Sequence, residues 1–468
     1  RRFCRRVVRE GGLSPSFSFV PRLCQDSRVL RDRQMPPIAS LAPALNGVKE
    51  GTFVYKTIKD RWPAILTKVI DQVHRYRHTH IAVHPKDGDR DIKAVIGELA
   101  EMRYHLATDK PLRNFDDDLD DISIWNEQLE FLRKMKTEAE VSWYRADWLF
   151  VECYLYRRIV GALRKTTTLK QFDPFSAQKH NAYVDGLPAM EQIAKYLTDI
   201  EQRQICNGTN DDAISRLLQL CLWGNKCDLS FSCGENAAVS SSPIDQTDQL
   251  ADKVLVNQID AAMAILRNAK LKRIDIVLDN AGLELFSDMV LADFLVTKSG
   301  AAKVVFHGKA HPWFVSDTTS SDFCWINEML RGSHVDCLSK LGYRWDQKLT
   351  EGQFEFHAHE FWTLPFAYCD MPKYAADLYK DLSEAALIIF KGDLNYRRLV
   401  GDREWPLDTP FKVALRGFAP APLLALRVLK AETQVGLSVD TIKMLEHKFS
   451  GRKGWMVSGD YAVVQFDA

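Results

Sequence analysis

Polar residues that could do chemistry follow short apolar runs at several places in the second half of the chain. Asp279 and Asn280 come after residues 274–278, Asp317 after 312–315, and Lys391 and Asp393 after 387–390. Carboxylate and amide oxygens are what hard divalent ions such as Mg²⁺ or Mn²⁺ accept, with substrate phosphate completing the shell. The pattern therefore suggests metal-assisted phosphoryl chemistry. Asp279-Asn280 reads equally well as the cap of a following helix, because Asp and Asn are favoured caps. Glu284 falls in the first turn of that helix, where an acid interacts with the dipole.

Other chemistries lack their residues. None of the 24 glycines stands two positions from another, so no G-x-G dinucleotide turn exists. The spacing Gly454 to Gly459 is followed by Asp460-Tyr461, not by the lysine and hydroxyl of a P-loop. Neither G-x-S-x-G nor H-E-x-x-H occurs. Ten cysteines without a C-x-x-C pair are too dilute for a disulfide scaffold, and the six-residue steps of Cys221, Cys227 and Cys233 match no zinc module. His357-Ala358-His359-Glu360 puts two imidazoles on one strand face, in an aromatic-rich stretch where packing and backbone hydrogen bonds claim histidines.

The elements that would position these residues divide the chain in two. Trp62, Ile65, Leu66, Val69, Ile70 and Val73 recur at helical spacing after Pro63, and residues 143–163 and 213–223 continue the helical character, the last ending at Gly224. A serine-rich stretch at 230–248 marks a boundary. Beyond it, apolar strands at 274–278, 303–306, 312–315, 387–390 and 462–466 alternate with helices, the pattern of a parallel α/β sheet. In such sheets the carboxyl ends of the strands gather the ligand site. The expected organisation is a helical domain at 46–250 and an α/β domain at 251–468.

Residues 1–45 are expected to lack packed structure. Arg1, Arg2, Arg5, Arg6 and Arg9 with scattered serines have the composition of a mitochondrial transit peptide, or of a gene model extended upstream of Met35. Charge balances at 62 basic and 62 acidic residues, which argues against stable nucleic-acid binding or an anionic membrane surface. No run reaches the 18 apolar residues of a membrane span. A cytoplasmic location, extending to the nucleus, is expected, and a mitochondrial one only if residues 1–34 are a genuine transit peptide.

Four motifs, taken in order, closely resemble the damage-control phosphatase family. They are Gly224-Asn225-Lys226-Cys227-Asp228, then Leu278-Asp279-Asn280-Ala281-Gly282-Leu283-Glu284, then Trp313-Phe314-Val315-Ser316-Asp317-Thr318-Thr319, then Lys391-Gly392-Asp393-Leu394-Asn395-Tyr396-Arg397. The branch is similar to the eukaryotic sugar-phosphate phosphatases also called acidic residue methyltransferases. The resemblance implies a Rossmann-like α/β/α core beside an N-terminal helical domain, acting on phosphometabolites such as fructose 1-phosphate. It implies metal ligation by Asp279, Asn280 and Asp317, with Mn²⁺, Mg²⁺, Co²⁺ or Ni²⁺ as occupants. It places Glu284, Asp393, Leu394, Asn395, Tyr396 and Arg397 at the substrate and Asn225, Asp228 and Lys391 in support. The branch's R-T-x-K motif reads Arg427-Val428-Leu429-Lys430 here, with valine for threonine, while the phosphate-binding lysine, Lys430, and Arg427 remain. Either Asp393 or Asp317 would then orient the attacking water, with Asp279 essential to turnover.

The family's second name implies an alternative: an S-adenosylmethionine-dependent methyltransferase acting on glutamate or aspartate carboxylates of protein partners, linked to the DNA damage response. The missing G-x-G gives that cofactor little support. A non-catalytic docking protein is a third reading, against which the intact Asp279 and Asp317 argue.

Overall fold

Strands that are apolar at nearly every position need cover on both faces. In a computed structural model, which describes residues 8–10, 41–203, 210–224, 247, 249–267 and 272–468, they form one eight-stranded sheet in the order β1-β5-β4-β3-β6-β7-β8-β2. The strands are β1 (Val8–Glu10), β2 (Val254–Asn257), β3 (Arg273–Val277), β4 (Lys303–Gly308), β5 (Phe354–Ala358), β6 (Leu387–Lys391), β7 (Leu423–Val428) and β8 (Ala462–Asp467). Every pairing is parallel except β7 with β8.

Side-chain alternation sends Val277, Ile388, Phe390, Leu423 and Val463 into one core, and Ile274, Ile276, Phe306, Ile389 and Leu424 into another. The first core is shared with α1 (Trp62–Val83), α2 (Gly88–Ala107), α3 (Ile122–Met135) and α4 (Trp148–Arg164). The second is shared with α5 (Ser176–Arg203), α6 (Asn210–Gly224), α7 (Ile259–Leu266), α8 (Leu283–Thr297), α9 (Ser320–Arg331) and α10 (Asp336–Thr350). α11 (Ala376–Leu382), α12 (Gly392–Val400) and α13 (Val439–Phe449) add to the first. This is the α/β/α layering of the expected fold class. Among the described residues, no helix is long and apolar enough to cross a membrane.

Three expectations need correction, the first being that residues 1–45 lack packed structure: Val8–Glu10 pair with β5, and Leu45 is buried. Residues 312–315 form no strand: Phe314 and Val315 have φ of 44° and 70°, a left-handed turn that strand pairing excludes. Trp313, Phe314 and Val315 are apolar because the turn itself is buried. The helix expected from residue 143 begins at Trp148, because Asp147 has extended backbone.

Packing starts ahead of α1. Leu45 N donates to Asp402 O (3.1 Å), Glu404 N to Pro43 O (2.8 Å) and Trp148 N to Leu45 O (2.7 Å), so this segment ties α4 to the loop after α12. Within α4, the wholly buried Arg157 is answered by Asp117 (2.7 and 2.8 Å) and Asp121 (2.7 to 3.0 Å).

Candidate active site

The strand order reverses between β3 and β6, since β4 and β5 continue from β3 while β7 continues from β6. Loops leaving these neighbouring strands diverge and open a crevice at their carboxyl ends. Asp279 lies in the loop after β3, and Asp393 in the first turn of α12, after β6. The two loops approach closely at Gly392, whose φ is 85°; a Cβ there would stand 1.9 Å from Asp279 Oδ2. Gly392→Ala is therefore expected to cost about 1–3 kcal/mol in backbone strain and to displace Asp279. A urea melt and an activity assay on the same preparation check this, and wild-type values in both would refute it.

Two backbone hydrogen bonds bind the β3 loop to the turn before α9. Thr318 N donates to Asp279 O (2.8 Å) and Ala281 N to Ser316 O (2.7 Å), which sets Asp317 beside Asn280. The capping alternative for Asp279-Asn280 does not hold: the residue preceding α8 is Gly282, with φ 79° and no side-chain cap. Asn280 Nδ2 instead donates to Asp279 Oδ2 (2.9 Å) and Glu284 Oε2 (2.8 Å). Its amide oxygen accepts from the Ser316 hydroxyl.

Behind this row stands Lys391, wholly buried, donating to Glu284 (2.9 Å) and Cys221 O (2.8 Å) and pairing with Asp288 (3.0 Å). Burial alone would lower the ammonium's pKa, but the charges of Asp288 and Glu284 hold it above its ordinary value. Burial pushes the Asp288 carboxyl up to about 7, with Lys391 opposing and Glu284 adding to the rise.

On the β6–β7 side, Asp393 Oδ1 accepts from Arg427 Nε (2.8 Å) and Lys430 N (3.1 Å). Arg397 donates to Asp402 (2.8 and 3.0 Å) and Glu152 (2.6 Å) and lies 3.8 Å over the Trp148 ring. Burial opposes its charge, yet Asp402 and Glu152 keep it firmly protonated.

Asp279, Asp317, Asp393, Leu394, Arg397 and Lys430 line one recess. The other candidates sit behind it. Asn395 Nδ2 donates to Leu278 O (3.1 Å) and Lys391 O (2.8 Å), tying the ends of β3 and β6, while Tyr396 donates to Gln465 (2.7 Å). Glu284 and Arg427 act through their partners, and Val428 is packed in the second core. Asn225 and Asp228 lie outside the described residues; Gly224, just before them, abuts Glu284, with 3.4 Å from its ideal Cβ to the Glu284 backbone.

The recess also has residues that the sequence reading did not single out. Phe53, Arg61, Trp148 and Glu152 come from the helical half, and Phe314 from the buried turn. Arg61 closes a π-helical turn, Thr57–Arg61, that leads into α1; such turns often occur at functional sites. Lys309, buried just after β4, stands 3.2 Å from Asp317 Oδ2. Its place at a strand end was the signal that could have found it.

A second cluster lies apart from the recess. His307, His357 and Asp381 each bring one ligand atom within 4.8 Å of the others, an arrangement that fits a divalent metal. His359 does not join it: it precedes the short helical turn Glu360–Thr363, and its Nδ1 accepts from Phe361 N (3.0 Å).

Residues 57–445 match the model of the damage-control phosphatase ARMT1-like domain. A rat protein named damage-control phosphatase ARMT1 is 42% identical over 89% of this chain and 96% of its own length. The human protein of that name is 39% identical over 92% of this chain and 99% of its own. Among solved structures, a DUF89 family protein from Pyrococcus horikoshii is similar over 75% of this chain and 92% of its own, with a TM-score of 0.38 and 13% identity.

Proposed function

This chain belongs to the damage-control phosphatase ARMT1-like family, and from that premise we propose that it is a divalent-metal-dependent phosphatase of metabolite repair acting on sugar phosphates such as fructose 1-phosphate. One observation carries the proposal: carboxylates from three separate segments, Asp279, Asp317 and Asp393, share a recess with the cations Lys430 and Arg397.

Asp279, Asn280 and Asp317 offer only oxygen donors, which fits Mg²⁺ or Mn²⁺ and is open to Co²⁺ or Ni²⁺. An ion held there would draw charge from phosphoryl oxygens and make a water more acidic. The remaining work falls to side chains. Lys430 neutralises charge on the phosphoryl group, and Arg397, fixed by Glu152 and Asp402, adds a stationary positive charge. Asp393 has Oδ1 engaged by Arg427 and the Lys430 amide, so Oδ2 is the oxygen that takes a proton from the attacking water. The water oxygen bonds to phosphorus as the bond from phosphorus to the sugar oxygen breaks, and the proton held by Asp393 passes to the departing sugar oxygen, restoring the carboxylate. Lys391 keeps Glu284, and through it Asn280, in register.

The test is phosphate release from fructose 1-phosphate by the full chain in EDTA and with each metal in turn. Release that needs metal and is lost in Asp393→Asn supports the reading; turnover in EDTA overturns it. Lys430→Met removes a charge-assisted hydrogen bond worth about 1.5–3 kcal/mol, so KM for the sugar phosphate is expected to rise by about 10- to 100-fold. Steady-state kinetics give the ratio, and an unchanged KM would remove Lys430 from the phosphate.

A further inference from the structure

We propose that His307, His357 and Asp381 form a second metal site, selective for a zinc-class transition ion, that clamps α11 to strands β4 and β5. None of the three lines the acidic recess. Their neighbourhood follows from strand register: His307 and His357 are paired positions on adjacent strands, so both side chains lie on one face of the sheet. Asp381 reaches them from α11.

His307 is oriented as a metal ligand would be. His307 Nε2 lies 2.9 Å from Asp275 Oδ2, leaving Nδ1, which is buried and has no hydrogen-bond partner. His357 Nδ1 faces Asp381, while its Nε2 lies 3.2 Å from Glu355 Oε2 without making a hydrogen bond to it. A carboxylate on one ring nitrogen that fixes the other as a lone pair is the usual support for a ligating histidine. The separation of His357 Nδ1 from Asp381 Oδ2 is 3.6 Å, too long for a good hydrogen bond. It is close to the roughly 3.4 Å between two donors that each sit about 2.1 Å from a tetrahedral ion.

Arg273 donates to both Asp381 oxygens (2.9 Å each) and to both Asp275 oxygens (2.7 Å each), so one guanidinium holds the carboxylates of the cluster in place. Two nitrogen donors with one carboxylate favour Zn²⁺ and its neighbours over Mg²⁺, in contrast to the all-oxygen set in the recess.

Co²⁺ added to chelator-treated full chain is the probe, read by its visible ligand-field absorption and by elemental analysis of bound cobalt. The expected result is nitrogen-ligated Co²⁺ absorption that persists in Asp279→Ala and is lost in His307→Ala and in His357→Gln. His357 is partly exposed, so the second variant keeps the test valid should the buried substitution fail to fold. Identical absorption and stoichiometry in wild type and His357→Gln, or loss only in Asp279→Ala, would overturn the site. Failure of phosphate release with every metal would leave this result standing and would strike only the phosphatase reading.

Discussion

Asp279→Ala is expected to lower kcat/KM for the sugar phosphate by about 10²- to 10³-fold, the scale on which removing preorganised charge stabilisation acts. The carboxylate faces the recess and accepts from Asn280, so its loss removes a proposed ligand and frees the amide beside it. The fold should survive, because the bond from Thr318 N goes to the Asp279 carbonyl, which alanine keeps. Circular dichroism should match wild type while phosphate release disappears. Activity within tenfold of wild type would place the chemistry elsewhere.

Arg157→Met should be the most damaging change to stability, at about 3–5 kcal/mol, because it leaves the Asp117 and Asp121 carboxylates buried without their cation. Burial by itself would raise the Asp117 pKa, but hydrogen bonds and charge from Arg157 bring it below the ordinary value. A depressed folded pKa contributes stability that is present above the unfolded value of 3.8 and is lost as pH falls through the folded value. In the variant the sign reverses, since protonation then relieves an unpaired buried charge. The gap between wild type and variant in urea melts should narrow on acidification toward pH 3.8; a gap independent of pH would show that Arg157 acts through packing alone.

Four of the eight strands were legible, because they are apolar on both faces. Runs at 274–278, 303–306, 387–390 and 462–466 correspond to β3, β4, β6 and β8 within one or two residues. Asp279 and Asp393 were legible for a topological reason, since both follow strands at the point of reversal. The turn at 312–315 misled because a buried left-handed turn and a buried strand have the same apolar composition. Asn395 and Tyr396 share a motif with Asp393, yet one turn of helix sends neighbours in different directions, and their hydrogen bonds point into the scaffold. Arg61, Trp148 and Glu152 were not legible, because periodicity marks a helix's core face but not what its rim meets across the sheet. The pairing of His307 with His357 depends on register between strands, which local sequence does not carry.

The position of β8 governs the order in which this chain can be completed during synthesis. It lies between β7 and β2, so β2, made far earlier, waits for its partner until β8 has been made. Gln465 of β8 also receives the Tyr396 hydroxyl, and Tyr396 is in the helix that begins at Gly392. Until β8 emerges, then, β2 and α7 remain without their final neighbour while β3 to β7 can already pair, and the nascent sheet keeps an exposed edge at β7. The emergence of β8 is thus also the moment of edge closure, and a chain lacking that strand would lose an interior member of the sheet and would keep the edge that invites aggregation.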